Sequence, residues 1–260
     1  MYYENVNGKV YYEVYGEDNE KTIVFSHGVS LDHETFKSQI DALEDEYKVI
    51  VWDMPYHGNS SFINNKLQFT KVSAEFILGI LDDLELDEAV IVGQSLGSLV
   101  AQQFAYSYPE RCKATVHLGG VSLYPKSNSL LKLLNPFISL TISLWPKKSL
   151  YKTFAKHKAI KEETRRYMER CSSETGKRVI SHLTKEMVRD MARGLPEKTN
   201  EPKLISYGDH DLSFIKKSSK KWCDQSDNHQ LAIINNAHHI ANQDNPKEFN
   251  DALQSFLESL

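Results

Sequence analysis

Cysteine is scarce in this chain of 260 residues, and the three present, Cys112, Cys171 and Cys223, are odd in number and far apart. That excludes a disulfide framework and a cysteine metal cluster, and fits free thiols in a reducing compartment. No apolar run approaches the about 18 uninterrupted residues of a membrane-crossing helix, so no membrane span is expected. The N-terminus has no basic segment followed by an apolar stretch and a small-residue cleavage site, and a cytoplasmic location is the expectation. An excess of positive charge is missing too. With 31 basic and 35 acidic residues the net charge is −4, which offers no field for a phosphate backbone, and nucleic acid is not an expected partner. No G-x-G-x-x-G follows the first parallel-type strand, and the ten histidines include no H-x-x-x-H pair. Neither a dinucleotide cofactor nor a metal is therefore expected. What remains is an ordinary globular composition, 40% hydrophobic and 25% charged, in a chain long enough to bury a sizeable core. Oligomeric state is not legible.

The chain opens with β-branched and aromatic runs, Tyr2 to Val6 and Lys9 to Tyr15, on either side of Asn7-Gly8, a pair suited to a two-residue hairpin turn. Short apolar runs then alternate with helical patterns. Strands are predicted at Thr22 to Ser26, Lys48 to Trp52, Ala89 to Val92 and Ala114 to Leu118, with helices at Thr35 to Leu43, Lys71 to Leu84 and Leu96 to Ser107. Such alternation needs right-handed crossovers and gives an α/β fold, a mainly parallel sheet with helices on both faces. From Ser122 to about Asn200 the rhythm stops, and the text reads as a helical insertion. It resumes with strand Lys203 to Tyr207, helix Phe214 to Cys223, strand Gln230 to Ile234 and helix Pro246 to Leu257. The expected division is a core of residues 1–121 and 201–260 with a cap of residues 122–200.

Between the strand ending at Val92 and the helix opening at Leu96 lies G-x-S-x-G, Gly93 to Gly97. A serine on so tight a strand-to-helix turn needs neighbours without bulk two residues to either side, and the turn lifts its hydroxyl clear of the sheet. The bland alternative is a glycine-rich turn that packs a helix on a strand. A serine hydroxyl is a weak nucleophile at neutral pH and needs a base, usually histidine, oriented by a carboxylate. In open α/β sheets functional groups collect at the carboxyl ends of strands. Two such loops carry candidates: Gly208-Asp209-His210-Asp211, and Asn235-Asn236-Ala237-His238-His239. Asp209 competes with Asp211, and His238 with His239.

At these residues the chain resembles the α/β-hydrolase family over nearly its whole length. The elbow at Ser95, His27-Gly28 after an early strand, the loop Asp53 to Ser60, Gly208-x-x-Asp211 and a late histidine before Asn245-Pro246 stand in the family's order. The order nucleophile, acid, histidine is itself characteristic. The resemblance implies an eight-stranded sheet with an inserted helical cap and no cofactor. It assigns Ser95 as nucleophile, Asp211 as acid and His239 as base. Asp209 would then be a turn aspartate and His238 a loop residue. It also implies an oxyanion hole from the backbone amides of Val29 and Leu96, with His27 buttressing the loop; Ser30 is a possible further donor. Asp53 and His57 would form a structural turn.

The implied activity is cleavage of a small or medium, rather apolar ester or related acyl bond in a small-molecule substrate. Carbon–carbon bond hydrolysis and thioester hydrolysis use the same groups, and a ligand-binding protein of this fold is the alternative from another class. Dehalogenase and epoxide hydrolase readings fail, because they resemble versions with aspartate where Ser95 stands. Leu130, Leu133, Phe137, Ile138 and Trp145 are among the apolar groups that open the insertion, too many for one solvent-facing helix, with Pro136 expected to kink it. They would line the pocket entrance or pack on the core.

Overall fold

The computed structural model describes residues 1–63, 67–124, 141–142 and 144–260. Strands β1 (Tyr2–Asn5) and β2 (Gly8–Tyr15) form the N-terminal hairpin. They are followed by β3 (Thr22–Ser26), β4 (Lys48–Trp52), β5 (Ala89–Gln94), β6 (Cys112–Leu118), β7 (Lys203–Gly208) and β8 (His229–Ile234). All eight join one sheet in the order β1-β2-β4-β3-β5-β6-β7-β8. β1 pairs with β2, and β2 with β4, antiparallel; every later pairing is parallel.

β3 and β5 are buried along their whole length, as strands covered on both faces must be, and so they read as continuous apolar runs. One face is covered by α2 (Phe69–Asp83) and α3 (Leu96–Ser107), which contribute Phe76, Ile77, Leu99 and Phe104 to the interior. The other is covered by α1 (Lys37–Leu43) and by the C-terminal helix Pro246–Glu258, through Ile40, Phe249, Leu253 and Phe256. Each such side chain contributes about 1.5–3 kcal/mol on burial.

The helix expected from Thr35 begins instead as a 3-10 turn, His33–Phe36, before α1. Asp32 accepts the Glu34 N–H at 3.1 Å and Asp53 accepts the His33 N–H at 2.9 Å, so the first amides are bound tightly before an α-helical turn can form.

Between β6 and β7 the described residues hold α4 (Lys147–Lys156), α5 (Glu162–Thr175) and α6 (Lys177–Arg193). Of the apolar stretch that opens the insertion, Leu130 to Leu140 lies outside the described residues. Trp145 packs, partly buried, against the interior, whereas Leu144 is 75% exposed. After β7 come α7 (Ser213–Cys223), the short α8 (Ala241–Asp244) and α9 (Pro246–Glu258). Among the described residues no helix is long and apolar enough to cross a membrane.

Candidate active site

Ser95 sits between the last residue of β5 and the first of α3 with φ 52° and ψ −107°, a conformation that costs a non-glycine residue about 1–3 kcal/mol. The surroundings hold it there: the Ser95 N–H donates to Leu118 O at 2.8 Å and the Gly97 N–H to His27 O at 3.1 Å. A Cβ on Gly97 would stand 2.0 Å from Ser26 O, and one on Gly93 would stand 2.2 Å from Gly97 O. The two glycines are thus required by the closeness of helix, strand and neighbouring loop.

The carboxyl ends of β7 and β8 bring the other polar groups to the same edge. His239 Nε2 lies 3.0 Å from Ser95 Oγ, and His239 Nδ1 lies 3.1 and 3.0 Å from the two oxygens of Asp211. Both His239 and Asp211 are buried. Burial alone would raise the Asp211 pKa, but the charge and hydrogen bond of His239, with the Leu212 N–H at 2.7 Å, hold it below the usual carboxylate range.

Asp209 points elsewhere. Its Oδ1 accepts the Ala237 N–H at 3.1 Å and meets His210 Nδ1 at 2.7 Å, which makes it the clamp between the β7 and β8 loops. His238 Nδ1 accepts the N–H of His239 at 2.9 Å, so its ring is turned onto the backbone.

Val29 and Leu96 are buried, and among the described residues their backbone N–H groups have no acceptor. Leu96 opens α3, where first-turn amides are free by construction. The Val29 loop passes close to the elbow, since a Cβ on Gly28 would come 3.4 Å from Ser95 Cβ. Two buried histidines prop this loop. His27 Nε2 accepts the Met54 N–H at 3.0 Å and its Nδ1 donates to Gly28 O at 2.8 Å. His57 Nε2 accepts the Ser30 N–H at 3.1 Å and its Nδ1 donates to Pro55 O at 3.0 Å. Each ring thus uses one nitrogen as acceptor and must be neutral, and burial lowers both pKa values, that of His57 to about 3. Ser30 Oγ is engaged with Ser172 Oγ of α5 at 3.1 Å. Asp53 binds His33 and Asn59 within the turn.

Over the edge lies a cavity of about 350 Å³ that contains Ser95 and His239, roofed by Phe154, Met187 and Met191 from the insertion and flanked by Leu212 and Phe214. The spacing of Met187 and Met191 marks one face of α6 and was readable in the sequence. The residue that ties the roof down was not anticipated. Asp244, buried before α9, accepts the N–H groups of Ile160, Lys161 and His238 at 2.9–3.0 Å, so one carboxylate joins the insertion to the His239 loop. A single sequence carries no signal for this role.

Asp32, Cys171 and Glu174 bring three possible metal-ligand atoms within 4.8 Å of one another. The donor set does not suit a cation. Asp32 already accepts from Tyr167 Oη at 2.6 Å and from Cys171, Arg170 stands 3.9 Å away, and burial drives the Cys171 thiol far above its ordinary pKa.

Comparison with known proteins bears on the fold that carries this site. Residues 21–246 match the family model described as the alpha/beta hydrolase fold. The uncharacterized hydrolase YugF of Bacillus subtilis is 24% identical over 95% of this chain and 94% of its own length. A 2-hydroxy-6-oxononadienedioate/2-hydroxy-6-oxononatrienedioate hydrolase of Klebsiella pneumoniae is 32% identical, over 45% of this chain and 44% of that enzyme. Among solved structures, the esterase EaEST of Exiguobacterium antarcticum superposes with a TM-score of 0.83 over 99% of both chains at 17% identity, a likeness of fold. With its eight-stranded, mostly parallel sheet and a family match that runs from before β3 to the start of α9, the chain belongs to the α/β hydrolase fold family.

Proposed function

We propose that this protein is a serine hydrolase that cleaves small to medium, rather apolar carboxylic esters through an acyl-enzyme. The observation that carries this reading is the unbroken line from Ser95 Oγ to His239 Nε2 at 3.0 Å and from His239 Nδ1 to the Asp211 carboxylate at 3.0 Å. Ser95 Oγ attacks the ester carbonyl while His239 takes its proton. The amides of Val29 and Leu96 hold the oxyanion, and Asp211 keeps the His239 tautomer and stabilises its imidazolium. The proton then passes to the leaving alkoxide, and water, deprotonated by His239, releases the acid. Residues 1–121 and 201–260 form the catalytic core in this reading, and residues 122–200 the cap over a cytoplasmic small-molecule site. The apolar roof of Phe154, Met187 and Met191 favours a hydrocarbon part in the substrate.

A carbon–carbon bond hydrolase is the second reading, favoured by the partial likeness to the Klebsiella enzyme. A thioester would use the same groups. The test is turnover of p-nitrophenyl butyrate together with covalent labelling by a neutral alkyl fluorophosphonate, before and after Ser95→Ala. Loss of both is expected. Labelling that survives the substitution overturns the nucleophile, and a wild-type protein that neither labels nor turns over is a binding protein. Esters set beside thioesters and diketones rank the bond types.

A further inference from the structure

The cavity at Ser95 is mostly apolar, yet Lys158 stands in its wall. No Asp or Glu is among the described residues that line it, and the other basic group there besides His239 is the exposed His157. Lys158 is partly buried, and among the described residues its ammonium has neither a hydrogen bond nor an ion pair; what it has is the Phe154 ring, 5.8 Å from Nζ to the centroid. An ammonium drawn into apolar surroundings without a counter-charge is costly, and a surface lysine normally extends its head to water. Burial here pushes its pKa down, although the charge of nearby Asp211 opposes the shift.

The backbone allows this residue little freedom to swing away. Lys158 O accepts the Ile240 N–H at 3.0 Å, one residue beyond His239, and Lys158 N–H bonds Ala155 O at 3.3 Å at the end of α4. Two residues further on, the Ile160 and Lys161 amides are fixed on Asp244. The backbone of Lys158 is therefore held beside the His239 loop by main-chain bonds on both sides.

We propose that Lys158 is a substrate-binding residue that pairs with a carboxylate on the substrate, so that the site prefers an anionic ester to its neutral isostere. This deepens the ester-hydrolase reading and rests on it. The hydrocarbon part of such a substrate lies against Phe154, Met187 and Met191, and its carboxylate supplies the charge that the wall lacks. Pairing is a binding contribution, so its loss is expected mainly in KM.

The test compares mono-p-nitrophenyl glutarate with p-nitrophenyl valerate, which differ by a carboxylate in place of a methyl group. 4-(Butyryloxy)benzoate set beside 4-tolyl butyrate asks whether the charge belongs on the leaving group instead. Wild-type protein is expected to favour the anionic member of one pair. In Lys158→Met the anionic-to-neutral ratio of kcat/KM falls roughly 10- to 100-fold, the worth of a charge-assisted hydrogen bond, and Lys158→Arg recovers part of it. An unchanged ratio in Lys158→Met overturns the proposal, as does wild-type preference for the neutral member of both pairs. A second readout is independent of turnover: calorimetric binding of monomethyl glutarate to the Ser95→Ala protein, expected to weaken by the same factor in Ser95→Ala/Lys158→Met. If the hydrolase reading fails but this binding depends on Lys158, the site takes carboxylates without cleaving them; equal binding by both proteins refutes the role of Lys158. Circular dichroism of each variant confirms folding, and should Lys158→Met not fold, Lys158→Gln takes its place, an unchanged ratio there overturning the proposal.

Discussion

The loops at the sheet edge and the helices above them are built by different means. At the edge, polar groups are fixed by short bonds into buried strands and turns: both nitrogens of His27 and both of His57 are spent on backbone groups, and Asp53 is bound on each oxygen. The helices α4 to α6 dock on the core through apolar side chains, Leu150, Tyr151, Ile180 and Leu183, supplemented by single polar contacts. Among these are Ser172 on Ser30, Tyr167 on Asp32, Asp190 on the Thr70 amide, and the Asp244 carboxylate on Ile160 and Lys161. α4 buries only Leu150, Tyr151 and Ala155, whereas β5 is buried throughout. Chemistry requires groups held within about half an ångström, and a rigid scaffold supplies that. Apolar packing without fixed hydrogen-bond geometry lets a roof exchange its lining while the groups below stay in register.

The largest expected effects break the edge itself. His239→Ala lowers kcat/KM for p-nitrophenyl butyrate by about 10³-fold or more, while His238→Ala stays within about 10-fold. Asp211→Asn costs about 10²–10⁴-fold, because the carboxamide lacks the charge that stabilises the imidazolium and its NH2 can hold the ring in the wrong tautomer, and Asp209→Asn costs a few-fold. The reverse ranking in either pair would reassign the group concerned.

Breaking the tie between the regions has a smaller effect. Asp244→Ala strands three backbone N–H groups, and the expected cost is about 2–4 kcal/mol, or about 5–15 °C in Tm by calorimetry. Asp244→Asn keeps one acceptor oxygen and recovers part of the loss. If Asp244→Ala melts like the wild type, the carboxylate is no anchor.

The smallest effect sharpens the description of the edge. His57 is neutral in the fold with a pKa of about 3, against about 6.5 in an unfolded chain. Between these values the unfolded chain binds a proton that the folded one does not, so stability is full above about pH 6.5 and falls as pH drops toward 3. From pH 7 to 5 this one group costs about 2 kcal/mol, and His27 acts in the same direction. Asp211, with its lowered pKa, adds its own loss only below about pH 4. Urea midpoints at pH 7 and 5 measure the slope, and His57→Gln flattens it. A wild-type slope near zero would mean that His57 protonates within the fold.

Much of this fold was legible residue by residue, for a physical reason. β3, β4 and α3 occupy the predicted spans, the strands because a strand buried on both faces reads as a short continuous apolar run and α3 because it opens directly at the serine elbow. Ends set by capping moved: α2 begins at Phe69 and not Lys71, and the first helix is preceded by its 3-10 turn. At the site, the loops carrying Ser95, Asp211 and His239 could be named from strand ends alone. Strand ends could not choose between Asp209 and Asp211 or between His238 and His239, since residues one or two apart on a loop differ mainly in side-chain direction; the family resemblance made that choice. Asp244 and Lys158 were invisible, one before a helix and one after, each ordinary in composition.

By itself, then, the sequence determined the α/β alternation, the serine elbow demanded by Gly93 and Gly97, and the strand ends at which partners had to be sought, because these depend on local sterics and on period. Tertiary structure alone decided that Asp209 clamps two loops while the Asp211–His239 pair closes on Ser95, that Asp244 joins roof to edge, and that Lys158 shares the cavity with Ser95. Those outcomes depend on contacts between residues about 30 to 145 positions apart or on the direction one side chain takes, and a linear pattern encodes neither.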